Sequence, residues 1–99
     1  MGWCVALNER ADFDLEQVVS FLARKNPVAA ERLGLKLVDT IFSLQQMPYR
    51  GVEVRGRPGY RRILFQPWHL VFNRINEERQ SIEIVRIWDA RRDPGSFEL

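Results

Sequence analysis

Tyr60-Arg61-Arg62-Ile63-Leu64-Phe65-Gln66-Pro67-Trp68-His69-Leu70-Val71-Phe72-Asn73-Arg74-Ile75, then a polar Asn76–Gln80, then Ser81-Ile82-Glu83-Ile84-Val85-Arg86-Ile87-Trp88, is the stretch that decides the fold. Tyr60 to Gln66, Trp68 to Ile75 and Ile82 to Trp88 are rich in Ile, Val and aromatic residues, with a period of two or a continuous apolar run, and so read as strands. Gln66-Pro67 and Asn76 to Gln80 are too short to carry a parallel crossover, so the three strands form an antiparallel meander. Upstream the period changes. Leu15, Val18, Val19 and Leu22 make one helical stripe, with Asp12 or Asp14 as an N-terminal cap or dipole partner. Asn26-Pro27 ends that helix near Lys25 and opens a second, with Asn26 as its cap. The second helix carries Ala30, Leu33, Leu37, Ile41 and Leu44 along one side and is closed by Met47-Pro48. Tyr49 to Gly59, with three glycines and a proline, reads as a loop. Trp3 to Asn8 is a short strand. The layout is β-α-α-β-β-β, an α+β fold with a helical hairpin packed on one face of a small, mainly antiparallel sheet.

Ninety-nine residues, 45% hydrophobic and 28% charged, describe one folded domain over 1–99. No apolar run approaches the roughly 20 residues that span a bilayer, and no basic segment with an apolar core opens the chain. The lone Cys4 is expected to be an inert buried thiol, which suits a reducing cytoplasm. No pattern calls for a metal or a cofactor. Charge is uneven: residues 1–49 carry five basic and six acidic side chains, residues 50–99 ten arginines and seven acids. Arginine outnumbers lysine thirteen to two. Guanidinium forks match phosphate and carboxylate, so this bias reads either as a surface that grips phosphates or an acidic partner, or as codon usage.

The chain resembles the RelE/ParE family of bacterial toxins. Ala11, Asp14 and Leu15 match the family's opening helix, and Asn26-Pro27 with Ala29, Ala30 and Arg32 its helix junction. Pro48 and Gly51 match the end of the second helix. Gly59-Tyr60-Arg61 and Leu70-Val71-Phe72 match the first meander strands; Ile84-Val85-Arg86-Ile87-Trp88, with Arg92 and Asp93, matches the last. The resemblance implies a small cytoplasmic toxin held inactive by a cognate antitoxin. It also implies one of two targets, with mRNA cleavage as the leading expectation and gyrase inhibition as the alternative. RelE-like members cut mRNA, many on the ribosome; ParE-like members block DNA gyrase without being known as enzymes. A degenerate toxin that only binds its antitoxin is a third alternative.

Cleaving RNA through its 2′-hydroxyl needs a base, positive charge on the phosphate and an acid for the leaving oxygen. The resemblance carries the nucleases' basic catalytic positions onto Arg61, His69 and Arg92. Only His69 has an ordinary pKa suited to proton transfer near neutrality, since guanidinium stays protonated. Its structural alternative is a half-exposed strand residue beside the Pro67-Trp68 turn. Arg62, Arg86, Arg91 and Trp88 are candidates for contact with RNA or another target. For Arg86, inside an apolar strand, the structural alternative is pairing with a carboxylate or bonding to loop carbonyls. Asp89 stands where many relatives place histidine and is expected to pair with Arg91 or Arg61. Phe97 lies near a position where some nucleases use tyrosine, and it lacks the hydroxyl.

Overall fold

A computed structural model of the chain describes residues 2–92 and 99. Asp93 and Phe97, singled out above, lie outside the described residues. Strand β1 (Cys4–Leu7) leads into helix α1 (Glu9–Ala23) and helix α2 (Pro27–Phe42), which tightens into a 3₁₀ turn over Ser43–Gln45. Strands β2 (Val52–Glu53), β3 (Tyr60–Phe65), β4 (His69–Asn76) and β5 (Ser81–Asp89) follow. The five strands form one sheet in the order β1-β5-β4-β3-β2. The β3-β4-β5 meander is antiparallel as expected, and β1 closes the sheet by pairing parallel to the first half of β5.

Two local readings change. The cap of α1 is Asn8, whose Oδ1 accepts from the Ala11 N–H at 2.8 Å, rather than Asp12 or Asp14. Asp12 remains in the first turn with Glu9, where it favours the positive end of the helix. The segment expected to be a loop holds the two-residue strand β2, which pairs Val52 with Arg62 and Glu53 with Arg61. At the helix junction the expectation holds: Asn26 Oδ1 accepts from the Ala29 N–H at 3.1 Å, and Pro27 occupies the first turn.

The hairpin covers one face of the sheet. Ala11, Leu37, Ile41 and Leu44 pack there on Ile63, Val71, Ile82, Ile84 and Ile87. Burying a side chain such as Leu37 or Ile84 contributes about 1.5–3 kcal/mol relative to leaving it exposed. Strand period alone would send Ile84 and Ile87 to opposite faces, because they are three residues apart. A bulge resolves this: Phe72 pairs with Arg86 but Asn73 pairs with Ile84, leaving Val85 as an extra residue in β5. The shift returns Ile87 to the helix side and turns Val85 and Trp88 into a second cluster with Phe72, beside Tyr60 and Leu70. Cys4, expected to be buried, is exposed. Trp3, Val5 and Leu7 take the core side of β1, so alternation turns Cys4 away from it.

Candidate functional site

Two charged groups sit where the pattern calls for apolar ones, and they meet. Asp14 lies on the buried stripe of α1, next to Leu15 and three residues after Ala11; it is 8% exposed, and Arg86 is 6% exposed. Strand β1 stops at Leu7, so the edge of β5 beyond Ile84 has no strand beside it. Helix α1 crosses this edge, and Asp14 Oδ2 takes the place of a neighbouring strand's carbonyl, accepting from the Ile87 N–H at 3.0 Å. The same oxygen accepts from Arg86 Nε at 2.8 Å, and Arg10 approaches Oδ1 at 3.6 Å. Arg86 thus takes the carboxylate pairing expected of it as a structural residue. The missed signal for its partner was an acid on the apolar face of α1. Trp88 is also inside the molecule, 6% exposed, with the guanidinium carbons of Arg86 and Arg92 at 5.3 and 4.9 Å from its ring.

Arg61 is committed elsewhere. Its Nη1 donates to the Gly51 carbonyl at 2.7 Å and its Nη2 lies 3.3 Å from Glu53, while the guanidinium covers the Tyr49 ring at 5.2 Å. Tyr49 in turn packs edge-on against Trp3 and donates its hydroxyl to Glu77 at 2.9 Å. This hydrogen bond to Glu77, with burial, raises the Tyr49 pKa above its ordinary value. Gly51 is required here: a Cβ would stand 2.9 Å from the Arg62 carbonyl oxygen and 3.2 Å from Arg61 Cβ. Arg61 therefore ties the loop between α2 and β2 to β3. Arg62, on the other face, is exposed and in register with Phe72.

His69 and Arg92 come together at the other end of the sheet. His69 pairs with Phe65 and Asp89 across β3, β4 and β5, whereas Arg61 pairs with Asn73, four positions along β4 and roughly 13 Å away at the usual strand rise. His69, Asp89, Arg91 and Arg92 line a cavity of about 630 Å³, walled on the helix side by Phe21 of α1 and by Lys25 in the turn that follows it. His69 is 8% exposed rather than half-exposed, and its Nδ1 has no hydrogen-bond partner. Burial holds its pKa below the ordinary histidine value; Asp89 opposes the shift and Arg91 adds to it. Asp89 makes the expected pair with Arg91, with contacts of 3.0 Å to Nε and 2.7 Å to Nη2. Those hydrogen bonds bring the Asp89 carboxyl down to about 2. Arg91 Cζ also stands over the Trp68 ring, 3.8 Å from its centre. The three proposed catalytic groups are thus divided: a neutral, buried histidine with Arg92 at one end, and Arg61 built into the frame at the other. Among the described residues no cluster of metal-ligating side chains occurs, and no helix is long and apolar enough to cross a membrane.

A helical hairpin on one face of a five-stranded mixed sheet, with the Asp14–Arg86 lock at the free edge of the last strand, defines the class: an α+β toxin of the RelE/ParE type. Residues 5–94 match the family model for the ParE toxin of the type II toxin–antitoxin system parDE, and the chain belongs to that family. A structure of the chromosomal ParDE system from P. aeruginosa superposes with a TM-score of 0.74 at 21% identity, covering 88% of this chain and 95% of that one. The RelBE2 toxin–antitoxin complex from Mycobacterium tuberculosis gives 0.67 at 22% identity, over 90% and 99% of the two chains. A mutant of the E. coli toxin RelE in the free state gives 0.66 at 16% identity, over 97% and 88%. At these identities the likeness is one of fold. No curated protein sequence matches the chain.

Proposed function

We propose that this toxin is neutralised by a cognate antitoxin and arrests growth by binding DNA gyrase, without cutting RNA. The observation that carries the choice is the separation of Arg61 from His69 and Arg92. A nuclease needs its base and its phosphate-stabilising cations around one reacting atom. Here Arg61 is occupied by the Gly51 carbonyl, and His69 is sealed at its Nδ1. The antitoxin reading is supported by apolar surface on the hairpin: Phe13, Phe21, Leu35 and Phe42 are all more than a third exposed, as a wrapping amphipathic segment requires. Solved relatives of this fold were crystallised as ParDE and RelBE2 pairs. Arg62, Arg91 and Arg92, all at the surface, are the residues we assign to target contact.

One observation favours the second reading, mRNA cleavage on or off the ribosome: His69 and Arg92 do share a cavity. One variant separates the two. His69→Gln keeps the size and polarity of the side chain but cannot exchange a proton near neutrality. A gyrase-binding toxin with this change still arrests growth, and the purified protein still blocks supercoiling at stoichiometric amounts. Loss of toxicity together with loss of RNA cleavage, in a protein that still binds its antitoxin, would refute the gyrase assignment.

A further inference from the structure

The cavity beside His69 is built for a small molecule. Its volume of about 630 Å³ falls within the range that encloses compact ligands, and its wall is largely apolar, from Val18, Leu22, Leu33 and Pro67. At its mouth Phe21 and Trp68 are 59% and 37% exposed, with Lys25 Nζ at 4.9 Å from the Phe21 ring and Arg91 Cζ over Trp68. Three cations line the cavity, Lys25, Arg91 and Arg92, against one carboxylate, Asp89. That leaves two positive charges in excess, with His69 neutral. Inside, His69 is more than nine-tenths buried, and its Nδ1 has no hydrogen-bond partner.

We propose that this cavity binds a small aromatic carboxylate, its ring against Phe21, Leu22 and Trp68 and its anionic group toward Arg92 and His69. An apolar wall with a cationic rim selects for a flat apolar body carrying a negative group. A ring also suits exposed aromatic faces better than an alkyl chain does. The inference does not depend on the toxin's target, and its test reads binding alone, so either reading can fail without the other.

The test uses the full chain, with 1-naphthoate titrated by calorimetry and by indole resonance shifts of the tryptophans. Saturable one-to-one binding is expected. It should weaken about tenfold in Arg92→Gln and in Phe21→Ser, both surface positions, and at least fivefold for the neutral analogue 1-naphthalenemethanol. Three results would overturn the proposal: no saturation up to the solubility limit, equal binding by the neutral analogue and by Arg92→Gln, or tighter binding of adenosine monophosphate than of naphthoate. The last would assign the cavity to nucleotides.

Discussion

Removing the Asp14 carboxylate should cost more stability than any other single surface-to-core contact of α1. One oxygen accepts from both Arg86 Nε and the Ile87 N–H, and both donors lie in the interior. Truncation to Ala takes the Asp14 carboxylate away from a guanidinium whose side chain is 7% exposed. Breaking a buried pair from one side costs about 3–5 kcal/mol, and an orphaned backbone donor about 1–3 kcal/mol. The two overlap, since the cavity left behind admits some relaxation, so the expected loss is about 4 kcal/mol. Against a typical domain stability of about 5–15 kcal/mol this is a large fraction. In urea, with m of about 1–2 kcal/mol/M, the midpoint falls by at least about 2 M at unchanged m. Asp14→Asn should lose less, because the amide oxygen still accepts from Ile87. Asp14→Leu combined with Arg86→Met should recover most of the loss, as apolar replacements of buried pairs commonly do. A loss below about 1 kcal/mol for Asp14→Ala, or a double variant showing the full sum of the single losses, would refute this account of the β5 edge.

Three further outcomes follow from the same geometry. Deleting Val85 removes the bulge but leaves Ile84 and Ile87 two residues apart, so the core face of β5 stays in phase. The deletion should keep the fold and, like Val85→Ala, cost about 1–2 kcal/mol, both read by circular dichroism and urea titration, and loss of the fold on deletion would contradict the bulge assignment. His69 is held neutral by burial, so on acidification the unfolded chain takes up its proton first. Stability should fall as pH drops below about 6.5, until the lowered folded value is passed, and denaturant midpoints of His69→Gln should show a shallower fall over that window. Cys4 should react with a disulfide reagent in the native protein at close to the rate of a free thiol; protection comparable to a buried cysteine would contradict its exposed position on β1.

Much of the fold was legible because its signals are local. Asn26-Pro27 states both a helix end and a helix start, and the short connections Gln66-Pro67 and Asn76–Gln80 leave an antiparallel meander as the outcome. The parallel pairing of β1 with β5 was not legible, since nothing in Cys4–Leu7 names its neighbour. Strand β2 escaped because two residues carry no period. Cys4 was misplaced by a composition rule that ignores which side of a short edge strand faces the core. The site was legible only as residue types. Arg86 was recognised as needing a carboxylate, but a strand pattern does not say which helix will cross its edge. His69 and Arg61 were grouped by the resemblance to RelE-like nucleases, matched strand against strand; the antiparallel register places them four positions apart along β4.

The arginine bias takes on a different meaning once each fork is followed to its acceptor. It was read as a surface that grips phosphates, or as codon usage. Arg61 binds a backbone carbonyl, Arg86 a buried carboxylate, Arg91 a carboxylate two residues away, Arg50 the Ser43 hydroxyl and Arg74 the Glu83 carboxylate. Lysine cannot replace the planar fork at the first two, where one guanidinium meets an oxygen and an aromatic face together. These five arginines therefore hold the scaffold, and Arg62 on the open face and Arg92 at the cavity are among those left for other contacts. That division places the search for target contacts on such residues before Arg61 or Arg86.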